Sequence, residues 1–210
     1  PTKDLRAFDF YLLAYDAKQT LTREGLNKAE DLFKKSIAID PDFARAYVGL
    51  AWIYTFYIYL GFTDNVAKTL GDMTAAASSA VALDPNDGEG HLALGAAMGF
   101  SGEFEKAVPE FRRAEELAPN NADVLSISGA WAPWLGQPDR GVELTERALR
   151  LNPHHPYWYV PMARDVYFWG KDFEKAIVYA KRITNPVPYD WATRAAAAAY
   201  LGRMDEARAS

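Results

Sequence analysis

"GEFEKAVPEFRRAEELAPNNAD", residues 102–123, is the stretch whose reading decides the fold. It opens on a glycine and closes on a proline followed by two asparagines. Between them, Ala107, Val108, Phe111, Ala114 and Leu117 recur at a spacing near 3.6, which gathers them on one face of an α-helix. The closing proline fixes φ and offers no N–H, so the helix stops there. The phrase returns as "GKDFEKAIVYAKRI" at 170–183 and, in part, as "GRMDEARAS" at 202–210.

Working outward, prolines stand at 41, 85, 119, 153 and 188, with spacings of 44, 34, 34 and 35. Twelve residues before them stand Ala29, Met73, Ala107, Gly141 and Ala176, and five before them Ser36, Ala80, Ala114, Ala148 and Ile183. A further column is glycine: Gly102, Gly136, Gly170 and Gly202. Glycine suits the left-handed position just past a helix end. Small side chains let two helix backbones approach closely. Polar residues after each proline (Asp42, Asn86 with Asp87, Asn120 with Asn121) are placed to cap the next helix. Each unit therefore reads as helix, glycine turn, helix, proline stop. One such hairpin cannot bury its apolar face alone, so units stack in a row.

The units run approximately 5–43, 44–87, 88–121, 122–155 and 156–190, with 191–210 incomplete. The spacing predicts a single all-α array, a solenoid of about five and a half antiparallel helix pairs. The second unit has ten extra residues, best placed by lengthening both helices around Gly61 and Asp64. In the irregular first hairpin, Thr22 is the expected cap of the second helix. The stretch "WIYTFYIY", 52–59, has the composition of a strand, but its register in the columns makes it helical. Pro109, inside a second helix, predicts a local bend there unless that helix starts late.

Composition narrows the function. The 210 residues carry 28 acidic and 23 basic side chains, a net charge of −5. That balance speaks against a surface built to neutralise phosphates. There is no cysteine, which removes disulfides, thiolate chemistry and cysteine-bound zinc and fits a reducing compartment; a cytoplasmic location is expected. The most apolar stretch, "YVGLAWIYTFYIYLGF" at 47–62, is too short to span a bilayer comfortably. Neither a membrane nor nucleic acid is expected as a partner. The start at Pro1 and the broken last unit read as a domain excised from something longer.

The columns resemble the tetratricopeptide repeat, which is small at its eighth, twentieth and twenty-seventh positions and has proline at its thirty-second. Gly95, Ala107, Ala114 and Pro119 stand there in the third unit, with Phe111 at the family's aromatic site. The fourth unit matches with Gly129, Gly141, Ala148 and Pro153 but has Thr145 at the aromatic site. "LFKKSIAIDPDFARAYVGLA" at 32–51 and "AVALDPNDGEGHLALG" at 81–95 also look like the repeat tails of bacterial class III adenylate cyclases and of winged-helix regulators. Neither a cyclase core nor a DNA-binding head is present, so neither activity is carried over.

The resemblance implies a right-handed superhelical solenoid acting as a non-catalytic scaffold that docks a partner segment, or a neighbouring domain of the same parent protein, in a groove lined by first helices. The family's groove positions fall on Arg45, Val48, Trp52 and Thr55, on Glu89, Leu92, Ala96 and Gly99, on Asp123, Ser126, Ala130 and Pro133, and on Tyr157, Val160, Arg164 and Tyr167. The Lys, Asn and Arg set with which some relatives clamp an acidic C-terminal tail is absent, so an apolar peptide or partner helix is the better guess. Trp52 and Tyr167 are the preferred anchors, because Trp and Tyr dominate binding hot spots. Of the aromatic clusters at Trp52 to Tyr59, Trp131 with Trp134, and Tyr157 to Tyr159, most side chains read as interhelical core and the remainder as an exposed anchor surface.

No cofactor, metal or catalytic residue is expected. His154 and His155 are adjacent and have no ligand partner at helical spacing, and His91 lies elsewhere. The G-x-G at Gly88 and Gly90 follows no strand, so it is no nucleotide fingerprint. The alternatives to partner docking are self-association through an exposed terminal repeat and, behind it, RNA binding.

Overall fold

The computed structural model describes residues 2–209, and all regular structure among them is helical. Two compact units divide the chain, Pro1–Ala118 and Pro119–Ser210. The first holds the hairpins α1 (Leu5–Lys18) with α2 (Arg23–Ile39), α3 (Ala44–Tyr59) with α4 (Val66–Leu83), and α5 (Gly88–Phe100) with α6 (Phe104–Leu117). The second holds α7 (Ala122–Trp131) with α8 (Pro138–Leu151), α9 (Tyr159–Trp169) with α10 (Phe173–Ala180), and α11 (Pro188–Tyr200) with α12 (Met204–Arg208). Within each unit every helix packs on its hairpin mate, each second helix on the following first helix, and the first helices on one another.

The punctuation read from the sequence produces these boundaries. Helices α2, α4, α6 and α8 each end two residues before a proline. Asp40 and Asp84 close their helices, and each carboxylate accepts the N–H two residues on, from Asp42 at 3.1 Å and Asn86 at 3.2 Å. Asp87 and Asn121 cap α5 and α7 as expected, and Thr22 caps α2, accepting from Gly25 N at 3.1 Å. Asp42 does not cap α3: the N-cap is Phe43, whose side chain is buried against the Tyr11 ring at 5.2 Å. The second unit's extra length goes into α3 and α4, 16 and 18 residues long, and "WIYTFYIY" is helix throughout. Helix α6 runs through Pro109, its sixth residue, to Leu117.

Three further expectations need correction. Pro188 does not stop a helix; it stands at the first position of α11, and α10 ends at Ala180. Ile183 consequently lies outside any helix and only half-buried, rather than in the small column of a helix crossing. Gly102, Gly136 and Gly202 adopt φ near +75° as expected, but Gly170 has φ −76° and the left-handed residue is Lys171. Gly170 is required instead for space, because a β-carbon there would lie 2.5 Å from Val142 Cγ2.

The small columns form the interior. Ala29, Ala107, Ala114 and Ala148 are fully buried. A β-carbon on Gly95 would sit 3.2 Å from the Phe111 ring, and one on Gly141 would sit 2.9 Å from Gly129 O. The α7–α8 crossing is thus closed by two glycines, which is why Thr145 can stand where the third unit uses phenylalanine.

Candidate functional site

In the first unit, the family's groove positions lie on α3 and α5. Arg45 is exposed, with Nε 3.9 Å from Asp87 Oδ2, and Asp87 is already engaged as the cap of α5. Trp52 and Glu89 are half-buried. Val48, Leu92, Ala96 and Gly99 are buried, as is Thr55, whose hydroxyl donates to Ala51 O at 3.0 Å. Helix α1 adds Tyr11 and Tyr15, neither of which the sequence had singled out. Burial pushes the Tyr11 hydroxyl pKa up; Arg45 opposes this, while Glu89, Tyr15 and Asp87 add to it, so these groups share one neighbourhood. The irregular first hairpin gave no register from which to transfer groove positions to α1.

In the second unit, Asp123 is exposed and accepts the Tyr159 hydroxyl at 2.6 Å. Tyr159 is buried, and burial first, then this bond, raises its pKa. Tyr157 is half exposed, and its hydroxyl accepts Thr184 N–H at 3.0 Å. Ala130 and Pro133 are partly covered, and Ser126 and Val160 are buried. Tyr167 is 2 % exposed, wedged against Tyr179 at 5.4 Å with Lys175 Nζ 5.1 Å from its ring centre. Burial pushes its pKa up to about 12. It is a core side chain, and its role as an exposed anchor is corrected. Arg164 is equally buried: Nη2 lies 2.8 Å from Asp165, and Nη1 pairs with Asp190. It too is withheld from a ligand. Burial pushes the Asp165 carboxyl pKa up despite the opposing charge of Arg164.

The structure also exposes an aromatic surface that includes Trp134. Trp134 is 61 % exposed, Trp169 47 % and Tyr200 70 %. Their rings belong to one chain of contacts: Trp134 to Trp169 at 6.2 Å, Trp169 to Phe168 at 5.5 Å, Phe168 to Phe173 at 5.7 Å, and Phe173 stacked on Tyr200 at 4.6 Å. This run follows the three hairpin turns of the second unit. The signal for it was present: each exposed ring stands one or two residues before a column glycine, where the chain leaves its neighbours.

His91 and His155 are engaged by the protein itself. His91 Nδ1 lies 2.6 Å from Glu110 Oε2 and Nε2 lies 3.0 Å from Pro85 O. His155 stacks on Tyr159 at 5.2 Å. Among the described residues, no group of three or more His, Asp or Glu is placed to hold a metal ion.

No protein-family model and no curated protein sequence matches the chain. Solved structures do. PilW, a type IV pilus biogenesis factor, superimposes with a TM-score of 0.71 at 17 % identity, over 96 % of this chain and 89 % of that one. PilF of Pseudomonas aeruginosa gives 0.67 at 18 % identity, over 98 % and 89 %. Human IFIT1, solved as a dimer with m7Gppp-AAAA, gives 0.68 at 17 % identity, over 88 % of this chain and 45 % of that one. At such identities the likeness concerns the fold: this chain has the tetratricopeptide fold.

Proposed function

We propose that the chain is a non-catalytic scaffold that docks a protein or peptide partner on the face formed by its first helices. Within the first unit the accessible part of that face is Arg45, Trp52 and Glu89 beside Tyr11 and Tyr15, and Trp52 is its aromatic anchor. The observation that carries this reading is a half-buried indole on α3, the helix that also carries the exposed Arg45. Buried aromatic anchors of that kind account for most of the binding energy at protein interfaces. Asp123 and Tyr157 are the corresponding accessible positions of the second unit. The ligand chemistry that fits is an apolar or aromatic segment with at least one charge of each sign.

The test is selection of binding peptides from a displayed library, followed by affinities for variants. Trp52→Ala weakens binding about tenfold to a hundredfold, while Trp134→Ala leaves it unchanged. The reverse pattern moves the site to the turn edge, and peptides that bind both variants as they bind the wild type overturn the reading.

RNA binding is the second reading, favoured by the likeness to IFIT1 alone. The net charge of −5 weighs against it, as does the burial of Arg164 between two carboxylates. Titration with capped and uncapped oligonucleotides at low salt decides: no binding is expected, and a micromolar, salt-sensitive affinity reverses the order of the two readings.

A further inference from the structure

The join between α10 and α11 differs from the other joins between hairpins. Helix α10 has eight residues, whereas α2, α4, α6 and α8 have 17, 18, 14 and 14. Residues 181–187 follow outside any helix; Asp40 and Asp84 close the turns after α2 and α4, whereas Ala118, Asn152 and Lys181 stand at the ends of α6, α8 and α10. What α11 buries is small: Ala197 and Ala198 are fully covered, but Tyr189, Trp191 and Tyr200 are largely exposed. Alanine burial removes little apolar area from water, so this helix gains less from packing than its neighbours do.

Ala197 and Ala198 pack with Ala163, Tyr167, Ala176 and Ile177, while the N-terminal end of α11 is held by charge. Arg164 of α9 directs Nε and Nη2 at Asp165 Oδ1, at 2.9 and 2.8 Å, and Nη1 at Asp190 of α11. The other oxygen of Asp190 accepts Val187 N–H at 2.6 Å, holding the start of α11 in place. Tyr189 closes the circuit, with its hydroxyl 3.2 Å from Asp165 Oδ1 and its ring centre 4.9 Å from the guanidinium. Removing one member of a buried pair leaves a charge that the interior cannot solvate.

We infer that Arg164 and Asp190 form an electrostatic latch that holds α11 and α12 closed on α9, and that this end of the array opens as a unit through residues 181–187. Segments with little apolar burial open locally well below the free energy of global unfolding. The latch sets how often that happens here. Lys181 and Arg182 lie in the hinge itself, so trypsin reads the opening directly.

The experiment follows tryptic cleavage after Lys181 and Arg182 together with native-state hydrogen exchange of the full chain. In the wild type, α11 and α12 exchange through one common opening, faster than α7 to α9. Asp190→Asn, which keeps an acceptor for Val187 N–H, and Arg164→Met each speed cleavage about a hundredfold while exchange in α7 and α8 is unchanged. The double variant is cleaved no faster than Arg164→Met alone, because Asp190 has no partner left to lose once the guanidinium is gone and Asp165 lacks its cation in both. Cleavage at the wild-type rate in both single variants overturns the latch. So does acceleration of α7 and α8 in step with α11, which would reduce the pair to general support. Should a variant fail to fold, the wild-type exchange pattern alone decides: α11 exchanging together with α9 excludes a separate opening.

Discussion

A β-carbon on Gly141 would meet the Gly129 carbonyl oxygen at 2.9 Å, and one on Gly129 would meet Thr145 Oγ1 at 2.7 Å. Two effects of opposite sign compete there. Alanine is about 1 kcal/mol better than glycine within a helix, but overpacking a closed crossing costs about 1–3 kcal/mol. The obstacle at Gly141 is backbone, which cannot rotate away, so the clash wins. Gly141→Ala lowers the midpoint of thermal unfolding by several degrees, whereas Gly71→Ala, with nothing within 4 Å of the new carbon, raises it. Calorimetry on the two variants checks both signs. Tyr167 is legible only at this scale: the sequence makes it aromatic at a groove position, and its neighbours Tyr179 and Lys175 decide that it faces inward.

Among helices, caps and breakers make separable contributions. Asp87 accepts Glu89 N–H at 3.0 Å, so Asp87→Ala costs about 1 kcal/mol. The Asp42 side chain caps nothing and Asp42→Ala is near neutral. Chemical denaturation of the pair distinguishes the two, although both follow a repeat proline closely. Pro109 leaves Glu105 O without its helical donor inside a continuous α6; Pro109→Ala restores that bond and stabilises the protein by up to about 3 kcal/mol, read from the shift in denaturation midpoint. A recurrent tie links hairpins: Arg113 reaches Asn86 at 3.4 Å, Arg147 reaches Asn120 at 3.5 Å, and Arg182 reaches His155 at 3.4 Å, each across 27 residues. These ties are exposed and long, so they fix register more than they stabilise.

For the whole molecule, the acid–base record lies in its tyrosines. Burial pushes Tyr167 up to about 12 and raises Tyr54, Tyr57 and Tyr159 further, each of the last three also facing a carboxylate. A folded-state pKa above the unfolded value stabilises fully below the unfolded value, near 10, and that contribution is lost as pH rises toward the folded value. Stability therefore falls between pH 10 and 12. Spectrophotometric titration of the phenols gives two phases, the later one merging with the first in denaturant. A single phase near pH 10 in the folded protein contradicts the burial described. No helix among the described residues is long and apolar enough to cross a membrane.

The chain by itself determined what is local and periodic. Proline stops, column glycines and small residues about two turns apart specify paired helices, and they do so because backbone dihedrals and helical spacing depend on near neighbours in sequence. It also indicated that small residues would meet at the crossings. Only the tertiary structure decided which polar and aromatic side chains remain accessible. Arg164 is sealed by Asp190 from another hairpin, Tyr167 is covered by α10, and Trp134, in a hairpin turn, stays exposed beside Trp169. Burial and charge pairing are set largely by other helices, as Asp190 does for Arg164 and Tyr179 for Tyr167, and no spacing rule within one helix carries that information.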